Sequence, residues 1–219
     1  MVRSSPYPIA APTILTVPGL GGSGEAHWQT LWERGRGDTV RADLGMWDRP
    51  HRNAWVTKLD QAIRSARAPV VLAAHSLGCV AVAWWATLSG QPYGWPVMGA
   101  LLVAPADVDR ADAPPELAGF APSPRTLLPF PSLVVASEDD PWIDPAKARS
   151  LAAQWGSSFV EAGPLGHINA ASGIGDWAEG KALLAALVET TADHPAASEA
   201  RASLTMRLAA LERGDQAAR

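Results

Sequence analysis

The chain has a single cysteine, Cys79, among 219 residues, so no disulfide can close within it and nothing points to an oxidising compartment. It also lacks any apolar run near the ~20 residues that a membrane-spanning helix requires. The opening stretch MVRSSPYPIAAPTILTVPG has only a short apolar segment, broken by prolines, without signal-peptide architecture. Positive charge is not in excess: 18 Lys and Arg against 22 Asp and Glu leave a formal net charge of −4. That balance gives no electrostatic reason to bind nucleic acid or an anionic membrane. No set of His, Cys, Asp and Glu has the spacing of a zinc site. These absences predict a soluble, cytoplasmic protein with no metal, no cofactor, no nucleic acid and no membrane partner.

What is present is the material of a packed globular domain. Hydrophobic residues make up 47% and charged residues 18%, which argues against disorder. A chain of this length suits one α/β domain and buries about 70% of its unfolded surface. Ten tryptophans are an unusual load, expected mostly in the core with some lining a pocket.

Short β-rich runs alternate with helical patterns. Residues 13–18, 39–44, 69–75, 98–105, 131–137 and 157–162 read as six strands. Most lack period-2 alternation, as expected of strands covered on both faces of a parallel sheet. Residues 26–35, 53–66, 78–90 and 144–156 carry helical spacing, with Trp55, Leu59 and Ile63 four apart on one face. Asp144 before Pro145 reads as an N-cap followed by proline at the first helical position. Such alternation predicts a doubly wound, mainly parallel six-stranded sheet flanked by helices, with sites at the strand C-terminal ends. The segment from Pro105 to Pro131 contains seven prolines and reads as an ordered excursion over the sheet edge, too small for a lid domain. Residues 1–190 form the expected domain. Residues 191–219 are a helical extension or tail, in which Leu204, Leu208 and Leu211 over 197–214 could dock the helix or form a homodimer interface.

Two readings fit the loop after the first strand. Gly19-Leu20-Gly21-Gly22-Ser23-Gly24 matches the dinucleotide pattern G-x-G-x-x-G, with Asp43 where a ribose-binding acid would stand. The same glycines serve equally as a loop offering backbone N–H groups to an oxyanion. Three later segments favour the second reading. In Ala74-His75-Ser76-Leu77-Gly78, a serine stands between a buried run and a helix, with small residues two before and two after. That is the steric requirement of a sharp turn projecting a nucleophile; the competing explanation is a plain N-cap serine. Glu138, Asp139 and Asp140 follow the strand 131–137 and compete equally for the role of an acid. His167 sits in a glycine- and proline-flanked loop after the last strand. The order nucleophile, acid, histidine is that of the α/β-hydrolase fold.

The segments VPGLGGSGEAHW, MWDRPHRNAWVTKLDQAI, VVLAAHSLGCVAVAWW, VVASEDDPWI and GPLGHINAASG resemble the small α/β-hydrolases typified by retinoblastoma-binding protein 9 and its bacterial relatives. The likeness runs from about residue 12 to residue 180, and the WDRP…W stretch is its most specific part. Ala74 departs from the usual glycine by one methyl. The resemblance implies an α/β-hydrolase fold without a large lid and a serine hydrolase triad, Ser76, His167 and, aligned with the family's acid before proline, Asp140. The expected activity is cleavage of a small carboxylic ester or amide through an acyl-enzyme, with the Leu20 and Leu77 N–H groups as oxyanion hole. Gly19, His27, Trp142 and Ile143 are candidates to line the substrate pocket. His75 and Cys79, flanking the nucleophile, read as structural. The alternative is a binding protein that keeps the fold without efficient catalysis.

Overall fold

The computed structural model describes residues 11–67, 69–193 and 204–211. The first ten residues, and residues 197–203 and 212–214 of the expected C-terminal helix, lie outside them. Six strands form one sheet: β1 (Thr13–Val17), β2 (Thr39–Arg41), β3 (Val70–His75), β4 (Val97–Val103), β5 (Ser132–Ala136) and β6 (Ser158–Glu161), in the order β2-β1-β3-β4-β5-β6. Every neighbouring pair is parallel. The second strand stops at Arg41, well short of the expected 44, because beyond it only Ala42 N–H still reaches β1, at the Thr16 carbonyl.

Helices α1 (Trp28–Gly35), α2 (Arg52–Ser65), α3 (Leu77–Ser89), α4 (Pro145–Trp155) and α5 (Ala178–Asp193) cover the two faces. Period-2 alternation divides the strand side chains between them. Leu15, Val17, Val70, Leu72 and Ala74 pack with α2, α3 and α4, where Trp55, Leu59, Ile63, Leu151 and Trp155 are buried. Ile14, Val71, Ala73, Leu101 and Val103 pack with Trp28 and Trp32 of α1 and Leu184 and Leu187 of α5. As the sequence predicts, Asp144 caps α4, its side chain accepting from Ala146 N–H.

Helix α5 was not legible in the pattern. Its buried face includes Thr190 and Thr191, whose hydroxyls are satisfied internally by the Ala186 and Val188 carbonyls. It also needs a small residue opposite: a Cβ on Gly99 of β4 would stand 3.2 Å from Thr191 and 3.4 Å from Leu187. The segment from Pro105 to Pro131 is ordered but crosses the helical layer, not the sheet edge, because it joins two interior strands. Two indoles hold it, Trp84 donating to the Phe120 carbonyl and Trp155 to the Pro124 carbonyl. Lys147 of α4 pairs with Asp107 and Asp109 beside it. Residues 204–211 are helical, and Leu204 and Leu208 are buried within the α1/α5 core, leaving Met206 and Leu211 exposed. Among the described residues no helix is long and apolar enough to cross a membrane.

Candidate active site

The chain moves from β1 outward to β2 and then returns past β1 to β3, so the sheet's topological switch point lies between β1 and β3. Ligand sites of doubly wound sheets form at the strand C-terminal ends of such a point. Val17 pairs in register with Ala74, which sets the glycine loop after β1 beside the turn after β3. A Cβ on Gly19 would stand 2.8 Å from the Ser76 Cβ and 3.1 Å from the Leu77 nitrogen. Gly78 is tighter still: its added Cβ would lie 2.3 Å from the Val17 carbonyl oxygen. The small residue two after the serine is therefore a contact between helix start and strand end. The glycine loop is held from its far side by Gly21 N–H, which donates to the Trp47 carbonyl at 2.9 Å. Among the described residues, neither Leu20 N–H nor Leu77 N–H donates to a protein acceptor.

Ser76 has φ 54° and ψ −124°, a left-handed conformation that costs a non-glycine residue about 1–3 kcal/mol. Its backbone is pinned by Ser76 N–H to the Val103 carbonyl and by Cys79 N–H to the Ser76 carbonyl, each at 3.0 Å. It occupies the N-cap position of α3, yet its side chain makes no capping bond. That removes the N-cap explanation for this serine. The Oγ instead lies 2.9 Å from His167 Nε2.

Beyond β5 the three competing acids part company. The Glu138 side chain is exposed. Asp139 accepts from Ser137 Oγ at 2.8 Å and from Gly166 N–H at 2.7 Å, contacts that hold its carboxyl below the usual range and tie β5 to the histidine loop. Asp140, with a fully buried side chain, places both oxygens 2.9 Å from His167 Nδ1, and Trp142 N–H donates to one of them at 2.9 Å. A carboxylate only accepts, so Nδ1 carries the proton and Nε2 presents its lone pair to the Ser76 hydroxyl. Ser76, His167 and Asp140 thus form one continuous hydrogen-bonded line.

Of the four pocket candidates, Gly19 abuts Ser76, and Trp142 stands 41% exposed with its ring centroid 6.2 Å from that of His167. Ile143 is a correction: it is buried among the α2/α3/α4 core, because the turn after Asp140 sends Trp142 outward and Ile143 inward. His27 is likewise buried, 4% exposed, one layer behind the site. It caps α1 through Nδ1, and its ring packs edge-on at 4.7 Å from His75, which in turn packs 4.8 Å from His167. Burial is the main reason that the His27 pKa falls to about 4 and that of His75 well below its usual value, so both are neutral. Burial also pushes the Cys79 thiol well up, and its Sγ donates to the Val103 carbonyl, consistent with a packed, unreactive side chain.

Comparison with known proteins decides the family. A family model described as serine hydrolase matches residues 14–186. The chain belongs to the serine hydrolase family. Among solved structures, a protein described as a YdeN-like hydrolase from Pectobacterium atrosepticum is 32% identical, with a TM-score of 0.70 over 82% of this chain and 90% of that one. The ydeN gene product of B. subtilis is 21% identical, with a TM-score of 0.58 over 74% of this chain and 90% of its own. Est1E from Butyrivibrio proteoclasticus shares the fold at 13% identity and a TM-score of 0.58, over 85% of this chain and 87% of its own. No curated protein sequence matches the chain. The resemblance read from the five segments therefore holds at the level of the family, a small serine hydrolase of the α/β type without a large lid.

Proposed function

We propose that this serine hydrolase cleaves a small carboxylic ester or amide through an acyl-enzyme formed on Ser76. The observation that carries the reading is the line Ser76 Oγ–His167 Nε2 and His167 Nδ1–Asp140, each step 2.9 Å, ending on a serine held at φ 54°. Ser76 passes its hydroxyl proton to His167 Nε2 as Oγ bonds to the carbonyl carbon. Buried Asp140 fixes the imidazole tautomer and stabilises the imidazolium. The Leu20 and Leu77 N–H groups take up the negative oxygen of the tetrahedral intermediate. His167 then gives its proton to the leaving alcohol or amine, leaving an acyl-Ser76. Water repeats the sequence, releasing a carboxylic acid and restoring the serine.

Because the imidazole protonates the leaving group, the exposed indole of Trp142 beside it favours an apolar or aromatic leaving group. The expected setting is a soluble, cytoplasmic enzyme needing no cofactor. The test is p-nitrophenyl acetate hydrolysis with intact-mass analysis of the quenched reaction. Wild type should turn over and carry one acetyl group on Ser76, and Ser76→Ala should do neither. Equal hydrolysis by both proteins would show that the chemistry lies elsewhere.

A further inference from the structure

His167 lies between two residues in left-handed backbone conformations, Gly166 at φ 56° and Ile168 at φ 46°. For a β-branched residue such as Ile168 this is an outlier that persists only where surrounding contacts over-determine it. The contacts fall into two sets. On the β5 side, Ser137 Oγ accepts from Leu165 N–H at 2.8 Å and Asp139 accepts from Gly166 N–H, which fixes the loop before the imidazole. After it, two consecutive carbonyls are taken by side chains from the opposite direction. His75 Nε2–H donates to the His167 carbonyl at 2.9 Å, and Trp28 Nε1–H donates to the Ile168 carbonyl at 3.0 Å. His75 ends β3 immediately before Ser76, and Trp28 opens α1 just after the glycine loop.

We propose that His75 and Trp28 are positioning residues for His167. Their N–H groups clamp the left-handed turn at His167-Ile168 and so aim the imidazole at Ser76 Oγ. This rests on the serine hydrolase mechanism above and adds two residues to it. The donor on His75 comes from the peptide bond's neighbourhood of the nucleophile itself, so one strand end sets the positions of both Ser76 and its base. Next to this clamp the His27 ring is in contact with His75, and both stay neutral in their buried setting. Two neutral rings therefore stand directly behind the imidazole when it becomes an imidazolium.

Three variants of the full chain test the clamp: His75→Phe removes the donor and keeps a ring, His75→Gln returns an N–H near the original Nε2, and Trp28→Phe removes the indole donor. With folding verified by circular dichroism, kcat for p-nitrophenyl acetate should fall about 30- to 100-fold in His75→Phe and about 10-fold in Trp28→Phe, the range expected when a reacting group is misplaced by up to an ångström. KM should stay within about twofold, and His75→Gln should recover to within about threefold of wild type, since binding and packing are kept while the aim is lost or restored. A readout independent of turnover is the low-field proton resonance of the His167–Asp140 hydrogen bond, which should be sharp in wild type and His75→Gln and broadened in His75→Phe and Trp28→Phe. An unchanged resonance in folded His75→Phe or Trp28→Phe overturns the clamp, as does a His75→Gln variant as slow as His75→Phe. Should His75→Phe not fold, Trp28→Phe and His75→Gln decide on the same two measurements. A folded wild type without turnover would contradict the hydrolase mechanism itself, which the resonance distinguishes from failure of the clamp.

Discussion

The two faces of the sheet are packed from different chemistry. Under α2, α3 and α4 the strand side chains meet a largely apolar layer whose indole donors serve the scaffold: Trp84 and Trp155 fasten the proline-rich segment, Trp55 holds the Gly45 carbonyl and Trp85 the Asp60 carboxylate. Under α1 and α5 the layer is threaded with hydrogen bonds that lead to the site. Trp28 and Trp32, one turn apart on α1, donate to the Ile168 and Asp176 carbonyls, Gln29 donates to the Ala73 carbonyl, and His75 donates to the His167 carbonyl. Helix α3, which follows Ser76, thus rests on a packing face, whereas the loop of His167 is held from a face whose donors reach it, and the proposed mechanism assigns the two faces different tasks. Substitutions on the first should cost stability, and substitutions on the second should cost rate.

The largest effect should come where the faces meet, at Gly78. A methyl there would press 2.3 Å against backbone oxygen, which cannot move without shifting β1 against α3. Gly78→Ala should lose at least about 4 kcal/mol by denaturant unfolding, and any folded fraction should lose esterase activity. Leu59→Ala, on the packing face, should lose about 2–5 kcal/mol while keeping kcat within twofold. Trp28→Phe, on the donor face, should reverse the ranking, with about 1 kcal/mol lost from one hydrogen bond and the roughly tenfold fall in kcat already given. Equal rate losses in the two variants would erase the distinction between the faces.

The donor face should also make the fold sensitive to acid. His27 and His75 have folded-state pKa values below their ordinary 6.5, so between pH 6.5 and 4 the unfolded chain binds protons that the folded chain refuses. Their stability contribution is complete above pH 6.5 and is lost as pH falls toward 4. For His27 alone, a fall to about 4 corresponds to roughly 3 kcal/mol. His27→Asn keeps an N-cap acceptor without a titrating ring, so its urea midpoint should change less between pH 7 and pH 4.5 than that of wild type. A wild-type midpoint flat over that range would contradict the burial argument. The smallest effect should be at Cys79, buried and hydrogen-bonded beside the nucleophile: Cys79→Ala should keep kcat within twofold, and the native thiol should resist alkylation.

Much of this arrangement was legible in the sequence. Continuous apolar strands gave the parallel sheet, and Ala74-x-Ser76-x-Gly78 gave the turn, because a close approach to a neighbouring strand leaves small residues at fixed spacing around the serine even though the strand it meets is distant in sequence. The acid was different. Glu138, Asp139 and Asp140 are equivalent as residues and only the resemblance singled out Asp140; it takes the loop geometry to occupy Asp139 with Gly166 N–H and to turn Asp140 inward. Helix α5 escaped because its buried face contains threonines satisfied by their own helix. That Ile143 and His27 are buried while Trp142 is exposed could not be read from the residues, since exposure within a turn or beside a cap depends on which way the chain bends. The donors behind His167 could not be read at all, as indole and imidazole look like core until a carbonyl is seen opposite them.

The central claim is that Ser76 is an activated nucleophile, and labelling by a fluorescent fluorophosphonate tests it most directly. Such a probe modifies a serine only when a base activates it and an oxyanion site accepts the adduct. Wild type should label at a single site mapping to Ser76, with labelling lost in folded Ser76→Ala and His167→Ala. A well-folded wild type that stays unlabelled, or labels equally in Ser76→Ala, would contradict the account.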